Sequence, residues 1–159
     1  MKSANTLGIT SVVFVLSTLG VPAVHASTVT NNSGTICKNY NAADATKVGF
    51  WANGTKSVAT TPTKVICPLR RSTTNEDGAM VYVDVKHSVN ATTSCTLYSY
   101  EWTGALLGSV SSSETFSGFR EFVLWLGSGK SNGWSDYSLV CTIPPSGRGV
   151  LMGVDLVEY

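Results

Sequence analysis

Few side chains in this sequence are equipped for chemistry. Of its two histidines, His25 lies in an apolar N-terminal stretch expected to be removed, so a Ser-His-Asp or Cys-His site has only His87 to draw on. His87 closes the alternating run from Met80 and is expected as a strand-end surface residue rather than a base. The carboxylates Asp84, Glu101, Glu114, Glu121, Asp136 and Asp155 would serve glycoside hydrolysis if two of them faced one sugar bond. They are scattered through Ser/Thr-rich segments, as solvated surface groups are, and no two stand out. Asn75-Glu76-Asp77-Gly78 resembles part of a calcium loop but lacks its alternating ligands and terminal Glu, and reads as a chain reversal. Gly127-Ser128-Gly129-Lys130-Ser131 has Leu124 where a phosphate loop needs its first glycine, and reads as a hairpin turn before Trp134. Neither a metal nor a cofactor is expected.

Cys37, Cys67, Cys95 and Cys141 are too far apart for zinc, which needs paired ligands at short spacing, and their even number suits a disulfide framework. Alternation puts Cys95 in phase with Leu97, and Cys141 in phase with Tyr137, Leu139 and Ile143, so both should face a core. The expected bridges are therefore Cys95 to Cys141 and Cys37 to Cys67.

The four tryptophans are the side chains best suited to recognition, because a flat indole stacks on sugar rings and other apolar ligands. Trp51 and Trp125 lie in strand-like runs and are expected in the core. Trp102, in Glu101-Trp102-Thr103-Gly104, and Trp134, after Asn132-Gly133, lie at loop edges, and these two are the candidate ligand-binding residues.

The elements that must position these groups are strands. Valines 81, 83 and 85 share one face while Tyr82, Asp84 and Lys86 share the other, the pattern of a half-buried strand. Similar runs occupy Lys47 to Trp51, Thr63 to Cys67, Ser94 to Tyr100, Ala105 to Val110, Arg120 to Leu126, Tyr137 to Ile143 and Val150 to Val157. Turn residues such as Asn53-Gly54 and Pro144-Pro145-Ser146-Gly147 separate them. About eight strands without helical periodicity predict an all-β antiparallel sandwich, jelly-roll-like, with two disulfides.

The chain has 159 residues, with 11 basic against 10 acidic side chains and no basic cluster, which excludes nucleic acid as a partner. Lys2, the apolar run Leu7 to Leu19, Pro22 and Val24-His25-Ala26 read as a signal peptide cut after Ala26, leaving residues 27–159 as one domain. The apolar run is shorter than the about 20 residues a bilayer span needs, and no later segment is apolar enough. The expected location is secreted or periplasmic.

The landmarks Cys37, Cys67-Pro68, Cys95-Thr96-Leu97 and Cys141-Thr142-Ile143-Pro144-Pro145 resemble those of small secreted bacterial proteins that carry no assigned activity. That resemblance implies export and two disulfides and assigns no functional residue. The reading that follows is a non-catalytic binding or surface-interaction protein with carbohydrate as the leading ligand. Two rivals are an adhesive or structural subunit of an envelope assembly, pairing through the tail Val150 to Tyr159, and a small hydrolase.

Overall fold

A computed structural model describes residues 28–72 and 78–159; the expected signal peptide and Asn75, Glu76 and Asp77 of the calcium-like loop lie outside the described residues. Nine strands form: β1 (Thr28–Ser33), β2 (Lys38–Asn39), β3 (Val48–Trp51), β4 (Gly54–Ser57), β5 (Thr63–Leu69), β6 (Ala79–Glu101), β7 (Leu106–Leu126), β8 (Ser135–Ile143) and β9 (Gly149–Glu158). All pairings are antiparallel, and the hydrogen-bonded path runs β2-β5-β8-β6-β9-β4-β3, with β1 on β9 and β7 on β6.

The path folds into a β-sandwich because β6 serves both layers. Its first part, Ala79 to His87, pairs with β9. Its last part, Ser94 to Glu101, pairs with β8. Between them the β6 to β7 register slips, so that His87 opposes Gly118 while Ala91 opposes Phe116. Two expected strand pairs therefore prove to be single strands. Met80 to His87 joins Ser94 to Tyr100 in β6, and Ala105 to Val110 joins Arg120 to Leu126 in β7. The linking segments carry β-branched and polar residues but few strong breakers, and the corner is a bulge rather than a loop. The short polar strands β1, β2 and β4 lacked an apolar alternation from which to be read.

The inner faces obey the alternation except on β9, where a bulge at Met152 shifts the inward phase between Leu151 and Val154. Val81, Val83, Val85, Cys95, Leu97, Leu139, Cys141, Leu151, Val154 and Leu156 are all buried. Both disulfides lie within the second layer: Cys95 is directly opposite Cys141 in the β6–β8 ladder, and Cys37 bonds Cys67 one step beyond the β2–β5 pairing. On the outer face of that layer, hydroxyl pairs Thr92–Thr115, Ser94–Ser113 and Thr96–Ser111 join β6 to β7 at 2.7 to 2.9 Å. Gly34 and Gly54 both press on the Leu151 carbonyl, where any Cβ would come within 2.1 Å, so β9 can pack against the segments beside it only where these side chains are missing.

Three expectations change. His87 is not a surface residue: it is 2% exposed and stacked on Phe116 at 4.1 Å, because it continues the inward row of Val81, Val83 and Val85. Trp51 and Trp125 are not in the core but 43% and 65% exposed. Leu124 and Leu126 take the inward positions of β7, which turns Trp125 outward, and the indole of Trp51 covers the sheet over Gly49. The tail from Val150 offers no open edge, since β9 has β6 on one side and β1 and β4 on the other. Among the described residues β1, β2, β3 and β7 each pair on one side alone, and β7 is the longest of these edges.

Val83 has no solvent exposure whereas Lys86 is exposed. Val83→Asp is expected to unfold the domain, since an unpaired buried carboxylate costs several kcal/mol. Lys86→Gln is expected to shift stability by less than about 0.5 kcal/mol. Thermal melts followed by circular dichroism check both.

Candidate functional site

Trp102 and Trp134 come together although 32 positions of sequence separate the loops that carry them, β6–β7 and β7–β8. The cause is register. Glu101 opposes Ser135 as the last pair of the β6–β8 ladder, and the two tryptophans are the next residue on each chain. Residues directly opposite in an antiparallel pair have Cβ atoms about 4.5–5.5 Å apart, so positions just past the ladder end remain close. Trp102 is 71% exposed and Trp134 78%.

Each loop is locally braced. The β6–β7 turn is closed by Gly104 N–H to the Glu101 carbonyl at 2.7 Å and Glu101 N–H to the Ala105 carbonyl at 2.8 Å, with Gly104 at φ +87°. Thr103 Oγ1 also donates to the Glu101 carboxylate at 3.0 Å. On the other side, Asn132 Oδ1 accepts from Trp134 N–H at 2.9 Å, an Asx turn, and the Asn132 carbonyl accepts from Ser135 Oγ at 2.8 Å and Ser135 N–H at 3.0 Å.

Under the tryptophans lies a buried ion pair. Arg71 Nε donates to Glu158 Oε1 at 2.7 Å, with the two side chains 11% and 1% exposed. The same guanidinium donates to the Asn132 carbonyl and, at 2.9 Å, to Ser135 Oγ, while its Cζ lies 5.1 Å from the Tyr137 ring centre. Glu158 Oε2 accepts from Ser72 N–H at 2.7 Å. This network ties the end of β9 and the segment after β5 to the loop that presents Trp134.

Trp102 and Trp134 line an open pocket of about 730 Å³ whose rim includes Arg71, Ser72, Ser135 and Asp136. Tyr98 and Tyr100, their rings 5.9 Å apart and stacked, precede Trp102 on β6 and point outward by alternation. Successive outward side chains on one strand stand about 6.8 Å apart. Aromatic surface therefore runs along β6 into the tryptophan pocket, next to the hydroxyl pairs of the same face.

Of the other sequence candidates, Asp136 lines this pocket and Glu101 ends the strand that leads into it, while the rest stay apart. Glu114 pairs with Arg120 at 3.2 Å. Asp84 opposes Glu121 across β6–β7, and Asp155 is its diagonal neighbour on β9, so these three acids share the outer face of the first layer rather than a cleft. His87 lies at the corner with both ring nitrogens engaged, Nδ1 to the Phe116 carbonyl at 3.1 Å and Nε2 to Thr93 Oγ1 at 2.8 Å. The loop 127–134 closes no hairpin: it leads from β7, paired to β6, to β8 on the opposite edge of β6. Gly129-Lys130-Ser131-Asn132-Gly133 within it has the spacing of a nucleophile elbow, but strand β8 follows where that motif requires a helix, and Ser131 is only 7% exposed.

No protein-family model matches the sequence, and no curated protein matches it. The fold is similar to the CBM36-1 domain of a multidomain xylanase from the hindgut metagenome of Trinervitermes trinervoides, with a TM-score of 0.51 and 9% identity over 83% of this chain and 98% of that one. It is also similar to the xylan-binding module CBM15, with a TM-score of 0.52 and 10% identity over 84% of this chain and 98% of the module. At such identities the likeness is one of fold alone.

Two outcomes follow from the electrostatics. Arg71→Ala is expected to cost about 3–5 kcal/mol in urea unfolding, because Glu158 would remain buried and without its cation. Asp84 is held above the ordinary carboxylate value of 3.8, first by burial and then by the Asp155 charge. The folded state thus binds this proton more tightly than the unfolded state does, and stability falls as pH rises from 3.8 through the raised value. Asp84→Asn should remove that fall and leave the protein more stable at neutral pH, as measured by melts across pH 3 to 8.

Proposed function

We propose that this protein is a secreted, non-catalytic carbohydrate-binding domain that holds a polysaccharide against Trp102 and Trp134. The observation that carries the reading is the β6–β8 register, which gathers the two most exposed tryptophans at one pocket beside the Asp136 carboxylate. Indole faces stack on the C–H faces of a sugar ring, and the polar rim supplies partners for its hydroxyls. The bracing around Asn132 and Glu101 supports a preformed platform, which lowers the entropic cost of binding. A fold shared with a xylan-binding module supports a β-1,4-linked chain as the first ligand to try. The disulfides suit an oxidising compartment, consistent with export.

The open edge of β7 supports a second reading, assembly with another chain by strand addition. It predicts oligomers in size-exclusion chromatography that persist after substitution of the tryptophans.

Titration calorimetry with xylohexaose and cellohexaose tests the first reading. Trp102→Ala and Trp134→Ala are each expected to weaken binding by about 1–3 kcal/mol with a smaller loss of stability. No heat from either oligosaccharide, or binding unchanged in both variants, would remove the tryptophan pocket as the site.

A further inference from the structure

At the opposite end of the sandwich, where β6 turns its corner, a second and smaller pocket of about 240 Å³ is lined by Lys56, Lys86 and Arg148, with Asn53 and Ser88. We propose that it binds an oxyanion, a carboxylate or sulfate group carried on a ligand no larger than a sugar unit. The two lysines are placed by register. Lys56 on β4 and Lys86 on β6 both oppose Val150 of β9, one from each side. Neighbouring strands are about 4.8 Å apart, so the lysine backbones stand about 10 Å from each other across a buried valine. That separation leaves room for an anion between two ammonium groups.

Arg148 closes the third side from the β8–β9 turn, which is fastened at several points. Its carbonyl accepts from Ser88 N–H at 2.9 Å, Gly147 N–H donates to the Ser57 carbonyl at 2.7 Å, and Ser146 N–H to the Ala59 carbonyl at 2.7 Å. Lys56 is steered by Trp51, whose ring centre lies 4.7 Å from Nζ.

The charge pattern selects the ligand. The ion pairs among the described residues are Lys47–Asp44, Arg71–Glu158 and Arg120–Glu114, and none takes a cation of this pocket. Asp84, two positions from Lys86 on the same face, makes no ion pair with it. No carboxylate lines the pocket, in a chain whose positive and negative side chains nearly cancel. Three cations that only donate, beside an amide and a hydroxyl, complement a group that only accepts. Phosphate would meet the same donors.

NMR titration of the isotope-labelled protein in low-salt buffer tests this, with sodium sulfate, sodium glucuronate and glucose as probes. Saturable shifts at the amides of Lys56, Lys86, Gly147 and Arg148 are expected from sulfate or glucuronate and not from glucose. A response to glucuronate assigns a sugar carboxylate, and a response to sulfate alone assigns a tetrahedral oxyanion. Lys86→Gln with Arg148→Gln should weaken the response at least about tenfold, while the charge-retaining Lys86→Arg and the distant Trp102→Ala should keep it. The site is overturned by shifts that rise without saturating to about 20 mM, far past millimolar affinity, or that survive in the double variant.

Discussion

A single corner in β6 holds the two layers together, and the groups that close it are polar as well as apolar. His87 and Thr93 straddle the bend and hydrogen-bond to each other, while the His87 ring stacks on Phe116 of β7 and bonds that residue's carbonyl. The inward phase is kept through the bend, so Val81, Val83 and Val85 before it and Cys95 and Leu97 after it meet across one core. A one-residue slip here would turn one half of β6 inside out and expose its whole apolar row. The two extra residues on β6 between His87 and Ala91 preserve the phase because their number is even.

Once that corner is made, both ends of the sandwich acquire their character from β6. At the free ends of the strands, the last β6–β8 pair delivers two tryptophans from separate loops to one pocket. At the corner, the flanking ladder rows deliver two lysines and an arginine to another. Inward positions are filled mainly by Val, Leu, Ile and disulfide sulfur, with Phe116, Phe122 and Tyr137 as the buried aromatic rings, while all four tryptophans are left on the outside.

The Arg71–Glu158 pair links the stability of the fold to the position of Trp134. Burying two charges is worth little by itself against a well-packed apolar pair. Here the guanidinium also satisfies the Asn132 carbonyl and Ser135 hydroxyl, and the carboxylate takes the Ser72 amide. Its effect is therefore geometric. It fastens the β7–β8 loop, and with it Trp134, to the end of β9.

What the sequence determined by itself was whatever depends on alternation and on local turn chemistry. The strands around Val83, Leu139 and Leu156 and the inward phase of Cys95 and Cys141 were all legible, because a period of two assigns faces without knowledge of neighbours; that phase suggested the Cys95–Cys141 bridge and left Cys37 with Cys67, and the strand neighbours fix both. The same local signals marked Trp102 and Trp134 as loop-edge residues. Tertiary structure decided which of these residues meet. The convergence of the tryptophans depends on Glu101 opposing Ser135, a pairing between segments 34 positions apart that no local pattern encodes. The burial of His87 depends on Phe116 arriving from the next strand, and the outward turn of Trp125 on Leu124 and Leu126 winning the inner face. The interior position of β9 and the gathering of Lys56 and Lys86 around Val150 likewise rest on strand order, which long-range packing selects and one-dimensional periodicity leaves open.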